Sequence, residues 1–211
     1  MPSPRLLNLC LSSFLAFPLL VVPALADKEA PNKDNAEAVF AGGCFWTMES
    51  DFEKVPGVID AISGFSGGTV KNPTYEQVVQ GNTGHLESVR VIYDPAQVSY
   101  AQLVEVFFHS IDPTQTDGQV CDIGQNYHSA IFVSSPEQKT TAEAAKADAA
   151  KTLKATIATQ ILPAVPFYAA GPEHQGFAKR NPAYYGSYRI GCGRDARLQK
   201  LWGDKAWPKQ H

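Results

Sequence analysis

The chain has 211 residues, with 18 basic and 21 acidic side chains and a formal net charge of −3 at pH 7. This length suits one domain with a single hydrophobic core. Because the sequence contains no basic stripe and no Lys/Arg cluster, it does not favour nucleic acid or an anionic membrane surface as a ligand. We therefore expect a small group or a peptide as the partner.

Residues 1–26 have the features of an export signal. Arg5 precedes an apolar run that ends with the small residues of Ala24-Leu25-Ala26, which suit cleavage after Ala26. Serines and prolines interrupt the run, which favours cleavage over a membrane anchor. We expect an exported, periplasmic protein whose Cys10 is removed with the signal.

The remaining chain divides into a polar leader and one domain. Residues 27–36 are polar and indicate a flexible leader. Residues 37–211 form the single predicted domain, with a core over 37–185 and a tail over 186–211. The segment from Glu173 onward mixes short helical and irregular patterns.

Hydrophobic periodicity and turn residues predict alternating strands and helices. The predicted strands are 37–40, 58–65, 86–93, 129–133 and 161–168, and the predicted helices are 47–54, 75–80, 100–109 and 136–155. Ser99 suits the N-cap of the third helix, and the SPEQ stretch is a capping box for the fourth. Two prolines place the last strand at a sheet edge. Residues 112–125 form a long loop of the kind that often carries function.

This alternation predicts an α+β fold built as a two-layer α/β sandwich. The predicted core is ferredoxin-like, that is, an α-β plait, and an irregular C-terminal tail follows it.

Three cysteines remain after the signal: Cys44, Cys121 and Cys192. In an exported protein an odd count leaves at least one thiol outside a permanent bridge, unless it pairs between chains.

The stretch FAGGCFWTMES places Cys44 between a strand and a helix. At a helix N-terminus, free N–H groups and the helix dipole favour a thiolate. The two preceding glycines allow a substrate to approach. A buried core cysteine is the alternative reading.

Phe45 and Trp46 follow Cys44 directly. Adjacent helical residues point about 100° apart, so we expect one ring at the rim of a pocket beside the thiol. Such apolar walls suit a small apolar group on the reacting atom.

Glu87 begins the strand LESVRVIY, where alternation puts it on the face of Val89 and Val91. A carboxyl buried on that face would have a raised pKa and could act as a proton donor near neutral pH. Escape of the side chain to water at the strand end is the alternative.

The stretch QVCDIGQNYHS contains Cys121, Asp122 and Tyr127. It lacks the ligand spacing of a metal site, so we expect no metal. A cysteine hydrolase or acyltransferase with a histidine base is an alternative function. The candidate bases are His85, His109, His128 and His174. A non-catalytic domain that binds aromatic peptides is a further alternative.

Several motifs together resemble the A-type peptide methionine sulfoxide reductase family. These are GCFW after a strand, NPTYEQV, GHLESVRVIYDP, FFHSIDPTQ, Tyr127 with SAIF, and PFYAAGPEHQ, over roughly residues 37–185. GCFW followed by GH-x-E in this order is the most specific part.

The resemblance implies a role for each matching residue. Cys44 would attack the sulfoxide sulfur, Phe45 and Trp46 would hold the S-methyl group, and Glu87 would protonate the leaving oxygen. Further contacts to that oxygen or to Glu87 would come from Tyr75, Asp122 and Tyr127. Cys44 would be left as a sulfenic acid.

The resemblance also implies how the cycle ends. The sulfenic acid would condense with a second thiol, and a thioredoxin-like dithiol would reduce the resulting disulfide. We expect Cys192 to be the resolving thiol, with Cys121 as the alternative. The expected substrates are the S-epimer of methionine sulfoxide in proteins and peptides, or free methionine sulfoxide. We expect a monomer that uses no cofactor.

Overall fold

A computed structural model describes residues 34–208. The predicted signal, with Cys10, lies outside the described residues, as does most of the predicted leader. Within the described range, no helix is long and apolar enough to span a membrane.

Strands and helices alternate over the first two thirds of residues 34–208, and helices dominate the rest. The strands are β1 (Ala36–Gly42), β2 (Val58–Ser66), β3 (Leu86–Tyr93), β4 (Gly118–Gln119), β5 (Asp122–Ile123), β6 (Ser129–Val133), β7 (Gln160–Pro163) and β8 (Tyr168–Ala169). The α-helices are α1 (Phe45–Phe52), α2 (Tyr75–Val79), α3 (Tyr100–His109), α4 (Pro136–Leu153), α5 (Phe177–Arg180), α6 (Pro182–Cys192) and α7 (Arg194–Trp202). Short 3-10 helices cover Gln125–Tyr127 and Gly203–Lys205.

Six strands form one mixed sheet in the order β7-β6-β1-β3-β2-β8. β3 is antiparallel to both β1 and β2, β6 is antiparallel to β1, and β7 is parallel to β6. Phe40 lies opposite Val89, and Phe65 lies opposite Glu87. Continuing the β1–β3 register places Glu87 level with Gly42, two residues before Cys44.

The helices cover one face of this sheet. Phe40 of β1 is fully buried there and stacks on Phe52 of α1 and Phe107 of α3, with ring centroids 5.0 and 5.1 Å apart. Residues of α4 and α7 complete the same cluster. The other face carries a smaller cluster. Its members are Ala41, Leu86, Ala130 and Phe132. The described chain is therefore a mixed α/β structure with its main core between a sheet and one helical layer.

Several predicted boundaries are confirmed. β3 and β6 have the predicted limits. Ser99 caps α3 by accepting a hydrogen bond from Gln102 N–H, and Gln102 accepts one in return from Ser99 N–H. The predicted capping box of α4 is only half formed, because Gln138 accepts instead from Ser134 N–H.

The predicted single strand over residues 161–168 is wrong. The segment forms β7 and β8, which lie at opposite edges of the sheet. Pro163 ends β7 and Pro166 lies between the two strands. Because a proline cannot donate a ladder hydrogen bond, the segment leaves one edge and pairs again only after Pro166. The prolines do mark edge strands, as predicted.

The C-terminal tail is more regular than predicted, because α6 and α7 account for most of its described residues, 186–208; the short helical patterns expected after Glu173 are confirmed. α6 runs across residue 185, the predicted boundary between the core and the tail. The buried guanidinium of Arg189 donates to Asp51 of α1 at 2.9 Å. That of Arg194 donates to the carbonyls of Gly42 and Ser110 at 2.8 and 3.1 Å. Buried arginines break the apolar pattern on which the sequence prediction relied, so the docking of these helices was not foreseen.

The two-sided stacking of Phe40 predicts a large loss of stability on truncation. We expect Phe40→Ala to lower the free energy of unfolding by about 3–5 kcal/mol, the usual cost of an aromatic-sized cavity in a core. Urea unfolding measures this loss. Ile59→Ala, at a side chain 44% exposed in β2, is the control and should change stability by less than about 1 kcal/mol. Equal losses in both variants would contradict this account of the core.

Candidate active site

The corner between β1 and α1 positions Cys44. Gly43 has a φ of +85°, which L side chains rarely adopt, and Cys44 is the N-cap residue of α1. A Cβ at Gly42 would lie 2.5 Å from Met48 Sδ, and one at Gly43 would lie 2.6 Å from Gln119 Cβ. The glycines therefore allow a tight turn and close packing. The predicted open approach for a substrate over these two residues is wrong.

The Cys44 thiol is only 7% exposed. Burial and the neighbouring Glu87 raise its pKa to about 12, while Tyr188 and the Trp46 N–H act in the opposite direction. A helix terminus contributes at most about 2 kcal/mol, whereas withdrawing a charge from water costs several kcal/mol. Cys44 is therefore a protonated thiol in this structure, and the predicted thiolate is not favoured.

Glu87 is buried beside this corner, with 2% of its surface exposed. Its Oε2 accepts a hydrogen bond from Phe45 N–H at 3.0 Å. Burial raises the pKa of Glu87 to about 8, and Asp122 contributes in the same direction. The carboxyl is therefore protonated at neutral pH and can donate a proton to a group bound next to Cys44.

Phe45 and Trp46 take different positions, as their spacing predicts. Phe45 is 1% exposed, and its ring lies 5.8 Å from that of Phe65. Trp46 is half-buried at the rim, where it stacks on Phe177 of α5 with ring centroids 3.8 Å apart. Its Nε1 donates to His174 Nδ1 at 3.3 Å. The two rings supply apolar surface next to Cys44.

The remaining predicted site residues gather around Cys44 and Glu87. Burial and Glu87 raise the pKa of Tyr75 to about 12, and the same two causes raise the pKa of Tyr127. Both side chains are therefore neutral phenols that can donate hydrogen bonds. Burial raises the pKa of Asp122, and its Oδ2 accepts from the hydroxyl of Tyr188 at 2.6 Å.

Cys121 and Cys192 form a disulfide across 71 residues, with Cα atoms 5.2 Å apart, and Cys44 is free. The two candidates for the resolving thiol are thus joined to each other in this structure. Ligand atoms of Cys121, Asp122 and Cys192 lie within 4.8 Å of one another. Because both sulfurs belong to the disulfide, this cluster offers no thiolate to a metal ion.

The structure adds Tyr188 and Arg194 to the site. Tyr188 donates a hydrogen bond to Asp122, and it lies close enough to Cys44 to lower the pKa of the thiol. Arg194 donates a hydrogen bond to the carbonyl of Gly42 and lowers the pKa of Asp122. One signal in the sequence could have indicated Tyr188, because it lies four residues before Cys192 and shares its helical face.

Histidine does not act on Cys44 in the way a hydrolase would require. The groups that shift the pKa of this thiol are Glu87, Asp122, Tyr188 and a backbone N–H. His174, one of the candidate bases, instead accepts a hydrogen bond from Trp46. The geometry therefore favours the carboxyl rather than an imidazole as the proton-transfer partner of Cys44.

Comparison with known proteins agrees with this site. The family model for peptide methionine sulfoxide reductase matches residues 36–206. The peptide methionine sulfoxide reductase MsrA 2 of Caulobacter vibrioides is 51% identical over 182 residues, which cover 86% of this chain and 90% of the relative. A protein of the same name from Rhizobium meliloti is 47% identical over 197 residues, or 93% of this chain and 96% of the relative.

Solved structures give the same result. Methionine sulfoxide reductase A of Corynebacterium diphtheriae superposes with a TM-score of 0.69 at 36% identity, over 72% of this chain and 77% of that one. Reduced Mxr1 from Saccharomyces cerevisiae superposes with a TM-score of 0.68 at 28% identity, over 71% and 87% of the two chains. Because the family match spans most of the sequence and relatives near half identity cover more than four-fifths of it, the chain belongs to the peptide methionine sulfoxide reductase family.

Proposed function

We propose that this protein reduces the S-epimer of methionine sulfoxide in peptides and proteins to methionine, with thiols as the source of electrons. Free methionine sulfoxide is a further substrate in this proposal. The observation that carries it is a free Cys44 beside a buried, protonated Glu87 within an apolar wall. Family membership supplies the substrate class, and the S-epimer rests on the sequence resemblance.

The first step joins a thiol to a sulfoxide. Cys44 Sγ attacks the sulfoxide sulfur, and Glu87 gives its proton to the oxygen, which is a poor leaving group unless protonated. Tyr75 and Tyr127 donate hydrogen bonds to the same oxygen. The hydroxyl group then passes from the sulfoxide sulfur to Sγ, and the Sγ–S bond breaks, so methionine leaves as the thioether and Cys44 becomes a sulfenic acid. The proton that Cys44 loses on becoming the attacking thiolate replaces the one that Glu87 gives up. The sulfoxide sulfur is reduced by two electrons and Cys44 is oxidised by two.

The second stage moves the oxidation away from Cys44. A thiol of the Cys121 and Cys192 pair attacks the sulfenic sulfur, water leaves, and a disulfide with Cys44 forms. The other thiol of the pair then displaces Cys44 by exchange. The product is the Cys121–Cys192 disulfide with Cys44 as a free thiol, which is the arrangement of sulfurs in this structure.

An external dithiol restores the starting state. Cys121 is exposed and Cys44 is buried, so an attacking thiolate reaches the Cys121–Cys192 disulfide more readily than it reaches Cys44. We propose a thioredoxin-like protein as this reductant, acting on a monomer. No step above calls for a metal or an organic cofactor.

We also propose that the core is a ferredoxin-like α-β plait. The order β1-α1-β2-β3-α3-β6 along the chain, with spatial order β6-β1-β3-β2, supports it. Export to the periplasm remains a proposal that rests on the pattern of residues 1–26. Cleavage after Ala26 would make Asp27 the first residue of the mature protein.

Removal of the two reacting groups should abolish turnover. We expect Cys44→Ser to be inactive on a methionine sulfoxide peptide with dithiothreitol, and Glu87→Gln to lose about 10²-fold or more in kcat, the usual contribution of a general acid. Methionine formation measures both effects. Glu49→Gln is the matched control, because Glu49 is also buried with a raised pKa but hydrogen-bonds Ser63 and Gly176. Full activity in Cys44→Ser would reject the assignment.

The coupled titration of Cys44 and Glu87 predicts a pH profile. The reactive form is a thiolate beside a protonated carboxyl, so it carries one proton fewer than the resting pair. The first proton leaves the pair near the Glu87 pKa of about 8. We therefore expect kcat/KM to rise about tenfold per pH unit below 8 and to level off above it. Glu87→Gln should lose the inflection near 8, and an unchanged profile in that variant would contradict this proton count.

Loss of Cys192 should separate the first step from recycling. Reduced Cys192→Ser should still form roughly one methionine per protein molecule without added reductant, since Cys44 and Glu87 are intact. Repeated turnover with thioredoxin, thioredoxin reductase and NADPH should be lost. Dithiothreitol should restore turnover, because a small dithiol can reduce Cys44 directly. Normal thioredoxin-dependent turnover in this variant would refute the proposal that both Cys121 and Cys192 are needed to transfer the oxidation away from Cys44.

A further inference from the structure

Tyr188 and Cys192 lie four residues apart on α6, and therefore on the same helical face. Their partners are neighbours in the chain as well. Cys192 is bonded to Cys121, and the Tyr188 hydroxyl donates to Asp122 Oδ2 at 2.6 Å. The last turns of α6 are thus attached to two successive loop residues, once by a covalent bond and once by a hydrogen bond.

This attachment places Tyr188 over the reacting thiol. Tyr188 lies close enough to Cys44 for each to shift the pKa of the other, and its ring meets the Trp46 ring edge-on, with centroids 6.4 Å apart and an interplanar angle of 88°. Trp46 is also covered by Phe177 and Tyr184 of the neighbouring helices. The side of Cys44 from which a substrate would meet the aromatic wall is therefore occupied by the C-terminal helices.

We propose that Tyr188 is a further positioning residue of this site, which covers Cys44 while the Cys121–Cys192 disulfide is closed and withdraws when that disulfide is reduced. A single hydrogen bond competes with water and holds a side chain weakly. The disulfide keeps the end of α6 close to Asp122, so Tyr188 re-forms its hydrogen bond to that residue readily. Reduction by a dithiol leaves two thiols and one oxidised dithiol, and only the weak hydrogen bond then remains.

The inference rests on the proposed function in one respect, since it takes Cys44 as the reacting thiol. Covering Cys44 would benefit the catalytic cycle because the oxidised protein lacks a second free thiol among residues 34–208. After the disulfide has formed, Cys44 is again a thiol, but no second thiol is free to resolve a new sulfenic acid. A covered Cys44 would not react again until Cys121 and Cys192 have been reduced.

Alkylation of Cys44 by iodoacetamide tests whether Tyr188 covers this thiol, and it requires no sulfoxide substrate. Peptide mass spectrometry measures the alkylation rate. We expect the oxidised protein to react roughly tenfold more slowly than the reduced protein, since alkylation must wait for a local opening. The double variant Cys121→Ser/Cys192→Ser, kept reduced because it has no thiol to resolve an oxidised Cys44, should react at the rate of the reduced wild-type protein. Equal rates for the oxidised and reduced wild-type protein would overturn the proposal, whatever the outcome of the sulfoxide assays.

Variants of Tyr188 identify the covering group. In the oxidised form, Tyr188→Ala should raise the Cys44 alkylation rate to that of the reduced protein. Tyr188→Phe keeps the ring, loses the hydrogen bond to Asp122 and should give a smaller increase. Ser187→Ala is the matched control on α6, because its exposed hydroxyl bonds only Ala183 O in its own helix. Oxidised Tyr188 variants that retain the wild-type melting temperature but alkylate no faster than Ser187→Ala would refute the role of Tyr188.

Discussion

Glu87 and Cys44 are both withdrawn from water, and an ionised Glu87 makes Cys44 harder to ionise. Burial is the first cause of both raised pKa values. An ionised Glu87 further raises the pKa of Cys44, and Asp122 further raises that of Glu87. The pair therefore holds two protons at rest and becomes reactive after losing one. A thiol alone at a helix terminus would have the opposite tendency. The chemistry thus depends on a desolvated pair rather than on an activated cysteine.

The fold excludes water from this pair, because the central strands of the sheet pair on one side of it and helices pack on the other. The antiparallel register of β1 and β3 brings Glu87 level with the corner that carries Cys44. Arg194 then stabilises the corner by donating hydrogen bonds to the carbonyls of Gly42 and Ser110. Since Arg194 begins α7 directly after the last residues of α6, the helices that cover the thiol and the side chain that supports its corner belong to one continuous segment.

That continuity links the sulfur chemistry to the shape of the site. Cys192 ends the helix that carries Tyr188, and Cys121 precedes the Asp122 to which Tyr188 donates. Changing the oxidation state of the two cysteines changes how firmly the helix is held to the loop, so one covalent bond bears on both recycling and access.

The sequence by itself determined the local elements and singled out Cys44 and Glu87 as the proposed reacting residues. The limits of β3, the cap at Ser99 and the placement of Cys44 at a strand-to-helix corner were all predictable, because they depend on residues within one or two turns. Only the tertiary structure decided the ionisation of Cys44, the pairing of Cys121 with Cys192, and the cover provided by Tyr188. These depend on burial and on contacts between residues far apart in the chain, where desolvation outweighs the local preference of a helix terminus. Buried arginines in α6 and α7 donate to groups of distant segments, Arg189 to Asp51 and Arg194 to the Gly42 and Ser110 carbonyls, so no local pattern could reveal how these helices pack against the site.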